Sequence, residues 1–347
     1  MNTNFINTYI NAICIHWVGN RAGDERVTIS KKSITIQNEL SNLMTHYFVS
    51  GFKQEEFYHL FHDVDLKYNE VCGFVSDIFK KPESVHEQSI NLAKHLYEKS
   101  NHPKIKGGEF YVVYFKDCIV NDVMVDAVGL FKSENKDTFL KVYPSEDGFE
   151  IESQQGVNIN KLDKGCMIFN TDKENGYMVA VVDNINKGVE AHYWIDDFLH
   201  VRQRKDGYYN TQNVMLLTKN FIAKELPQAF DSVSKADQAE LLNKTTQFFK
   251  EKQTFNMGEF VSEVIVKPEI IDRFNQYKES YVKERDIELS DSFGISETAA
   301  KKQARAFKSV IKLDDNFHIY IHGDKQLIEQ GEDNKGKFYK VYYKEEQ

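Results

Sequence analysis

The sequence is short of cysteine, proline and positive charge, and each shortage removes a class of protein. Cys14, Cys72, Cys118 and Cys166 are scattered without a CxxC pair, so neither a zinc ribbon nor a disulfide framework is expected, and a reducing cytoplasm fits. Only five prolines occur in 347 residues, beside 25 Phe and 18 Tyr, a balance that belongs to a globular chain rather than a disordered one. No stretch approaches the roughly 20 apolar residues that span a bilayer. The opening MNTNFINTYINAICIHW has no basic start and is interrupted by Asn7 and Asn11, so no signal peptide is expected. Lys plus Arg number 44 against 53 Asp plus Glu, a formal charge of −9. Bulk attraction to nucleic acid or to an anionic membrane is therefore not expected, and any polyanion binding must come from a local patch. No nucleophile elbow, dinucleotide fingerprint or kinase signature is present.

What is there reads as an α+β chain of two domains, 1–205 and 206–347. Tyr9 to Val18 and Arg26 to Ile36 have strand character. Gln37 to Phe48, Gln54 to His62, Asn69 to Phe79 and Ser84 to Ser100 have helical character. After Gly107-Gly108 the pattern changes to an antiparallel meander of six strands: Glu109 to Phe115, Ile119 to Lys132, Thr138 to Tyr143, Phe149 to Gln154, Lys164 to Asn170 and Tyr177 to Asp183. Gly188 to His200 is expected to be helical, and Val201 to Tyr209 a basic connector. Helices then follow at Thr211 to Leu226, Ser234 to Lys252, Phe255 to Val266 and Glu269 to Arg285, before a C-terminal β-hairpin and a last strand from Gly336 to Lys344.

The clearest functional signal lies just before that hairpin. Lys301, Lys302, Arg305, Lys308 and Lys312 fall within twelve residues that contain no acid. Ser296 and Glu297 open a short helix, Phe307 to Leu313 alternates as a strand, and Asp314-Asp315-Asn316 makes a turn. In either geometry the basic side chains project together, as a phosphate backbone would require. A solvated face is the plainer alternative for any charge run. Arg202, Arg204 and Lys205 form a second, weaker basic group, diluted by Asp196, Asp197 and Asp206.

Other constellations are less complete. Gly331 to Lys337 has the spacing of a phosphate-binding loop, yet Phe338 stands where the magnesium-binding hydroxyl belongs, so a hairpin turn is expected. Asp126, Glu134 and Lys136 supply the ingredients of a nuclease metal site, although Glu134 falls in a polar, turn-like segment. His59, His62 and Asp63 on one helical stretch, and His318 with His322 on one strand face, are too few for a first coordination shell. No catalytic residue, metal or cofactor is assigned.

Three stretches carry a family resemblance: AICIHWVGN at 12–20, HPKIKGGEFYVVY at 102–114 and FKSVIKLDDNF at 307–317. They resemble the bacterial 37-kilodalton nucleoid-associated protein family nearly end to end. The resemblance implies a cytoplasmic, nucleoid-bound, non-catalytic protein. It would bind double-stranded DNA with little sequence preference, act as a homodimer and contact DNA topology enzymes, with no membrane involvement. The family has no catalytic motif to carry across, and the DNA-contacting residues above rest on charge alone. A metal-dependent nuclease or phosphohydrolase acting on nucleic acid is the alternative, and a protein-interaction module the third. For a homodimer, the apolar stripes Leu216, Phe221, Leu241, Leu242, Phe248 and Phe249 offer an interface.

Overall fold

An antiparallel sheet of nine strands organises the first of the two units into which the chain divides, Met1–Arg204 and Lys205–Gln347. The computed structural model describes residues 3–53, 55–185, 192–307, 310–313, 315–320 and 327–345, and its architecture is α+β. In chain order the strands of the first unit are β1 (Thr3–Asn4), β2 (Tyr9–Val18), β3 (Val27–Thr28), β4 (Tyr58–Leu60), β5 (Gly108–Val120), β6 (Val123–Ser133), β7 (Asp137–Ser145), β8 (Gly148–Gly156), β9 (Lys164–Phe169), β10 (Met178–Asp183) and β11 (Val201–Gln203). They are ordered β11-β4-β10-β9-β6-β5-β2-β3, with β1 on β5, while β7 and β8 form a hairpin outside the sheet. The meander therefore holds for β5, β6, β9 and β10, while the expected strands at Thr138 to Tyr143 and Phe149 to Gln154 pair only with each other.

The apolar runs of β5 and β6 are long because both faces of the sheet are covered. Phe110, Val112 and Tyr114 share a core with Val71, Val75 and Ile78 of α2 (Glu70–Lys80) and Leu92 and Leu96 of α3 (Val85–Lys99). The alternate residues Tyr111, Val113 and Phe115 share the other core with Tyr47 and Phe48 of α1 (Asn38–Val49). Asn69 fixes the start of α2: its Oδ1 accepts from Cys72 N–H at 2.8 Å, and its Nδ2 donates to the carbonyls of Phe61 and Leu199.

Four local expectations for this unit are corrected. Gln54 to His62 is not a helix; Tyr58–Leu60 is a strand held by β10 and β11, partners too distant in sequence for local periodicity to reveal. Of Arg26 to Ile36, only Val27–Thr28 pairs. The strand expected from Ile119 to Lys132 is broken at Asn121-Asp122, whose φ values of 47° and 64° make a tight turn. Val201 to Tyr209 is not a connector, because β11 pairs with β4 and Asp206 Oδ1 caps the next helix through Tyr209 N–H. Between 192 and 199 the chain forms short 3-10 and π turns.

The second unit begins with α4 (Gly207–Asn220), which widens into a π turn at Phe221–Glu225 and runs on as α5 (Leu226–Ala229). Pro227 does not stop it, because it falls in the first turn of α5, where its missing N–H is not needed. There follow α6 (Lys235–Glu251), β12 (Thr254–Asn256), α7 (Met257–Phe260), α8 (Pro268–Arg285), β13 (Ser292–Gly294) and α9 (Glu297–Ala304). Two hairpins close the chain, β14 (Val310–Leu313) with β15 (Phe317–Tyr320), and β16 (Ile328–Asp333) with β17 (Gly336–Val341). Most of the apolar stripe expected to serve a dimer is spent internally: Phe221, Phe248 and Phe249 are core residues and Leu241 and Leu242 pack half-buried against them, while Leu216 is half-buried. Among the described residues no helix is long and apolar enough to cross a membrane.

Candidate nucleic-acid interface

Helix α9 presents its cations because its other face is fixed inward. Ser296 Oγ accepts from Ala299 N–H at 3.2 Å, capping the helix start. Ala299 and Ala300 are buried, which leaves Lys301 and Lys302 exposed. The helix ends at Ala304, and Arg305 follows it on the surface. Buried Phe307 then pins the chain to the core. In β14, Ile311 is 2 % exposed and packs with Ala236 and Ala239 of α6. The alternation turns Lys312 outward, across from His318. Lys308 lies outside the described residues, as does His322.

Four cations thus lie exposed on two consecutive elements. Lys301 Nζ is 2.6 Å from Glu297, one helical turn back, and both side chains are more than 70 % exposed. So exposed a pair is held weakly and can be exchanged for a phosphate. Lys302 Nζ meets Tyr208 Oη at 3.0 Å and sits 5.6 Å from that ring's centroid. Arg305 and Lys312 have no acidic partner among the described residues.

In the second basic group each cation is ion-paired. Arg202 donates to Asp63 at 2.9 Å and lies 3.6 Å from the Phe61 ring centroid. Arg204 donates to Asp172 at 2.5 Å and is only 19 % exposed. Lys205 pairs with Glu288 at 2.8 Å. Each cation faces a carboxylate; the exposed pairs of Arg202 and Lys205 are as exchangeable as that of Lys301, and only Arg204 is largely buried with its partner.

The metal candidates come apart. Asp126, in β6, accepts from Tyr114 Oη at 2.6 Å and pairs with Lys116. Glu134 follows the far end of the same strand, eight residues on and about 26 Å away at strand rise. Lys136 is bonded to Glu109. Such a separation excludes a shared metal ion. His59 lies on β4 rather than on a helix with His62 and Asp63. Among the described residues no group of three or more His, Cys, Asp or Glu is placed to hold a metal ion. The segment from Gly331 to Phe338 is the β16–β17 turn, with Gly336 at φ 119°.

A buried charge cluster escaped the sequence reading. Lys132 and Lys164 are wholly buried at the ends of β6 and β9. Lys132 Nζ is 3.2 Å from Glu134 and 2.8 Å from the Lys106 carbonyl, and Lys164 Nζ is 2.7 Å from Asp183. Tyr193 Oη donates to Glu134 at 2.5 Å, and Asp163 accepts from the backbone N–H groups of Glu134 and Asn135. Burial holds the Lys132 ammonium below its usual pKa, and burial together with Glu134 holds the Tyr193 phenol well above its own. A lysine inside an apolar strand was the available signal. The cluster has no opening for a polyanion, and its chemistry is that of a fastening.

A family model described as nucleoid-associated protein YejK matches residues 14–337, nearly the whole chain and parts of both units. No curated protein matches the chain.

Proposed function

Because the chain belongs to this nucleoid-associated protein family, we propose that it binds double-stranded DNA with little sequence preference, as a homodimer and without catalysing a reaction. The observation that supports this reading is the exposed run Lys301, Lys302, Arg305 and Lys312 on a chain of net charge −9. Flexible cations spread along a helix end and a strand suit phosphate oxygens, which carry position but no base identity. Lys308 falls between them in sequence and belongs to the same proposed set, whereas Arg202, Arg204 and Lys205 contribute little. A nucleoid location within the cytoplasm and contact with DNA topology enzymes follow from the same family resemblance.

The test is a DNA titration at several salt concentrations. Five phosphate contacts predict a slope of log affinity against log salt of about −4.5 for one protomer, and about −9 where both protomers of the dimer engage the duplex. Replacing Lys301, Lys302, Arg305, Lys308 and Lys312 with Glu should weaken binding to every sequence alike, and each lost contact should flatten the slope by about one unit. Unchanged affinity in the folded variant would remove these residues from the interface. Incubation with supercoiled plasmid and Mg²⁺ or Mn²⁺ should give no nicking; nicking that disappears in Asp126→Ala would replace a binding protein with a nuclease.

A further inference from the structure

The β7–β8 hairpin pairs with no other strand, and its two faces differ in kind. On one, Phe139, Lys141 and Tyr143 stand opposite Gln154, Glu152 and Glu150. Lys141 Nζ lies 3.6 Å from Glu152, and Tyr143 Oη donates to Glu150 at 3.1 Å. The other face sets Leu140 against Ser153, Val142 against Ile151 and Pro144 against Phe149, with Thr138 and Gln155 at its base. It has no ionisable group. Its exposures are 68 % for Leu140, 57 % for Val142, 67 % for Ile151 and 76 % for Phe149.

A two-stranded hairpin alone is marginal in water, and covering such side chains is favourable. We propose that this apolar face is the surface through which two copies of the chain pair. The inference rests on the homodimer proposed above and names its interface, in place of the stripe that the second unit spends mostly on its own core.

The chemistry of the face selects the occupant. DNA is excluded because the face offers no cation. An anionic bilayer is disfavoured because the tip and the opposite face carry Glu146, Asp147, Glu150 and Glu152. A second copy fits: an uncharged face is complementary to itself across a two-fold axis, and apposes no like charges although each chain carries −9. At strand rise the face is about 30 Å long and about 10 Å wide, so two of them bury roughly 600 Å² in all, below the roughly 1,200 Å² of a standard interface. The dimer is accordingly weak and reversible.

Sedimentation velocity on the full chain tests this. The wild type should pass from dimer towards monomer on dilution through the micromolar range. Val142→Asp with Ile151→Asp should sediment as a monomer throughout, with an unchanged far-UV spectrum, because the hairpin supports no strand of the main sheet. A second readout does not depend on that variant. All four native cysteines are buried, so Ser153→Cys places a single exposed thiol on the apolar face. It should form a disulfide-linked dimer on mild oxidation at least ten times faster than Gln154→Cys on the polar face. A dimeric wild type whose Asp variant is still dimeric, with equal crosslinking of the two thiols, would overturn the interface and leave the homodimer standing. A wild type that is monomeric at all concentrations would overturn both, and one that floats instead with anionic vesicles would assign the face to lipid.

Discussion

Protonating His16 would set two N–H groups against each other. Its Nδ1 accepts from Ser30 N–H at 3.1 Å, so the ring proton sits on Nε2, 2.9 Å from Ser89 Oγ, whose hydroxyl donates to the His86 carbonyl. Burial, helped by His86, lowers its pKa to about 4. The folded state therefore stays neutral where the unfolded state takes up a proton. The contribution is fully present above the unfolded pKa of about 6.5 and is lost as pH falls from there towards 4, up to roughly 3 kcal/mol. Thermal unfolding of wild type and His16→Gln at pH 7 and pH 5 checks this: the wild type should lose more stability between the two. Arg202, Arg204 and Lys205 furnish a second residue-level expectation. Exchanging all three for Ala should weaken DNA binding less than the five Glu substitutions in 301–312, because Asp63, Asp172 and Glu288 already neutralise them. A larger loss would reverse the ranking of the two groups.

At the scale of elements, the buried cluster fastens the ends of β6, β9 and β10 to the turn at 192–194. Lys132→Met would leave the Glu134 carboxylate in the core with only Tyr193 against it, at a cost of about 3–5 kcal/mol, and adding Glu134→Leu should recover most of that. Chemical denaturation measures both; a double variant no more stable than the single one would make the pair a true source of stability. The same elements show what was legible in the sequence. Ser234, whose Oγ receives Asp237 N–H while Asp237 returns to Ser234 N–H, made its helix readable within a residue, whereas α4, capped by Asp206, was expected to start four residues late. Strand β4 was not readable, since it exists only through pairing with β10 and β11. β16 was overlooked because IEQGED has no apolar alternation and is held by register with β17. The basic run at 301–312 stood out by contrast with an acidic chain, but the partners that neutralise 202–205 are distant in sequence and no local pattern announces them.

Across the whole molecule, a local cationic run competes with a global negative charge, and salt decides the reach of each. At about 0.1 M ionic strength the screening length is about 10 Å, so DNA at the 301–312 run is shielded from most of the protein's acids; at about 0.01 M it is about 30 Å, and the full −9 is felt. Counterion release still strengthens the phosphate contacts as salt falls, but long-range repulsion grows with it. The expected plot of log affinity against log salt is therefore straight at moderate salt and bends over below about 0.02 M, where a uniformly basic protein would continue upward. Fluorescence anisotropy with one duplex, from moderate salt down to about 0.01 M, resolves the bend. Neutralising acids outside the run, for example Glu279, Glu284 and Asp286, should straighten the low-salt limb while leaving the slope above it unchanged. A line that stays straight to the lowest salt would mean that the net charge does not reach the bound DNA, and that the interface lies further from the acidic surface than the 301–312 run.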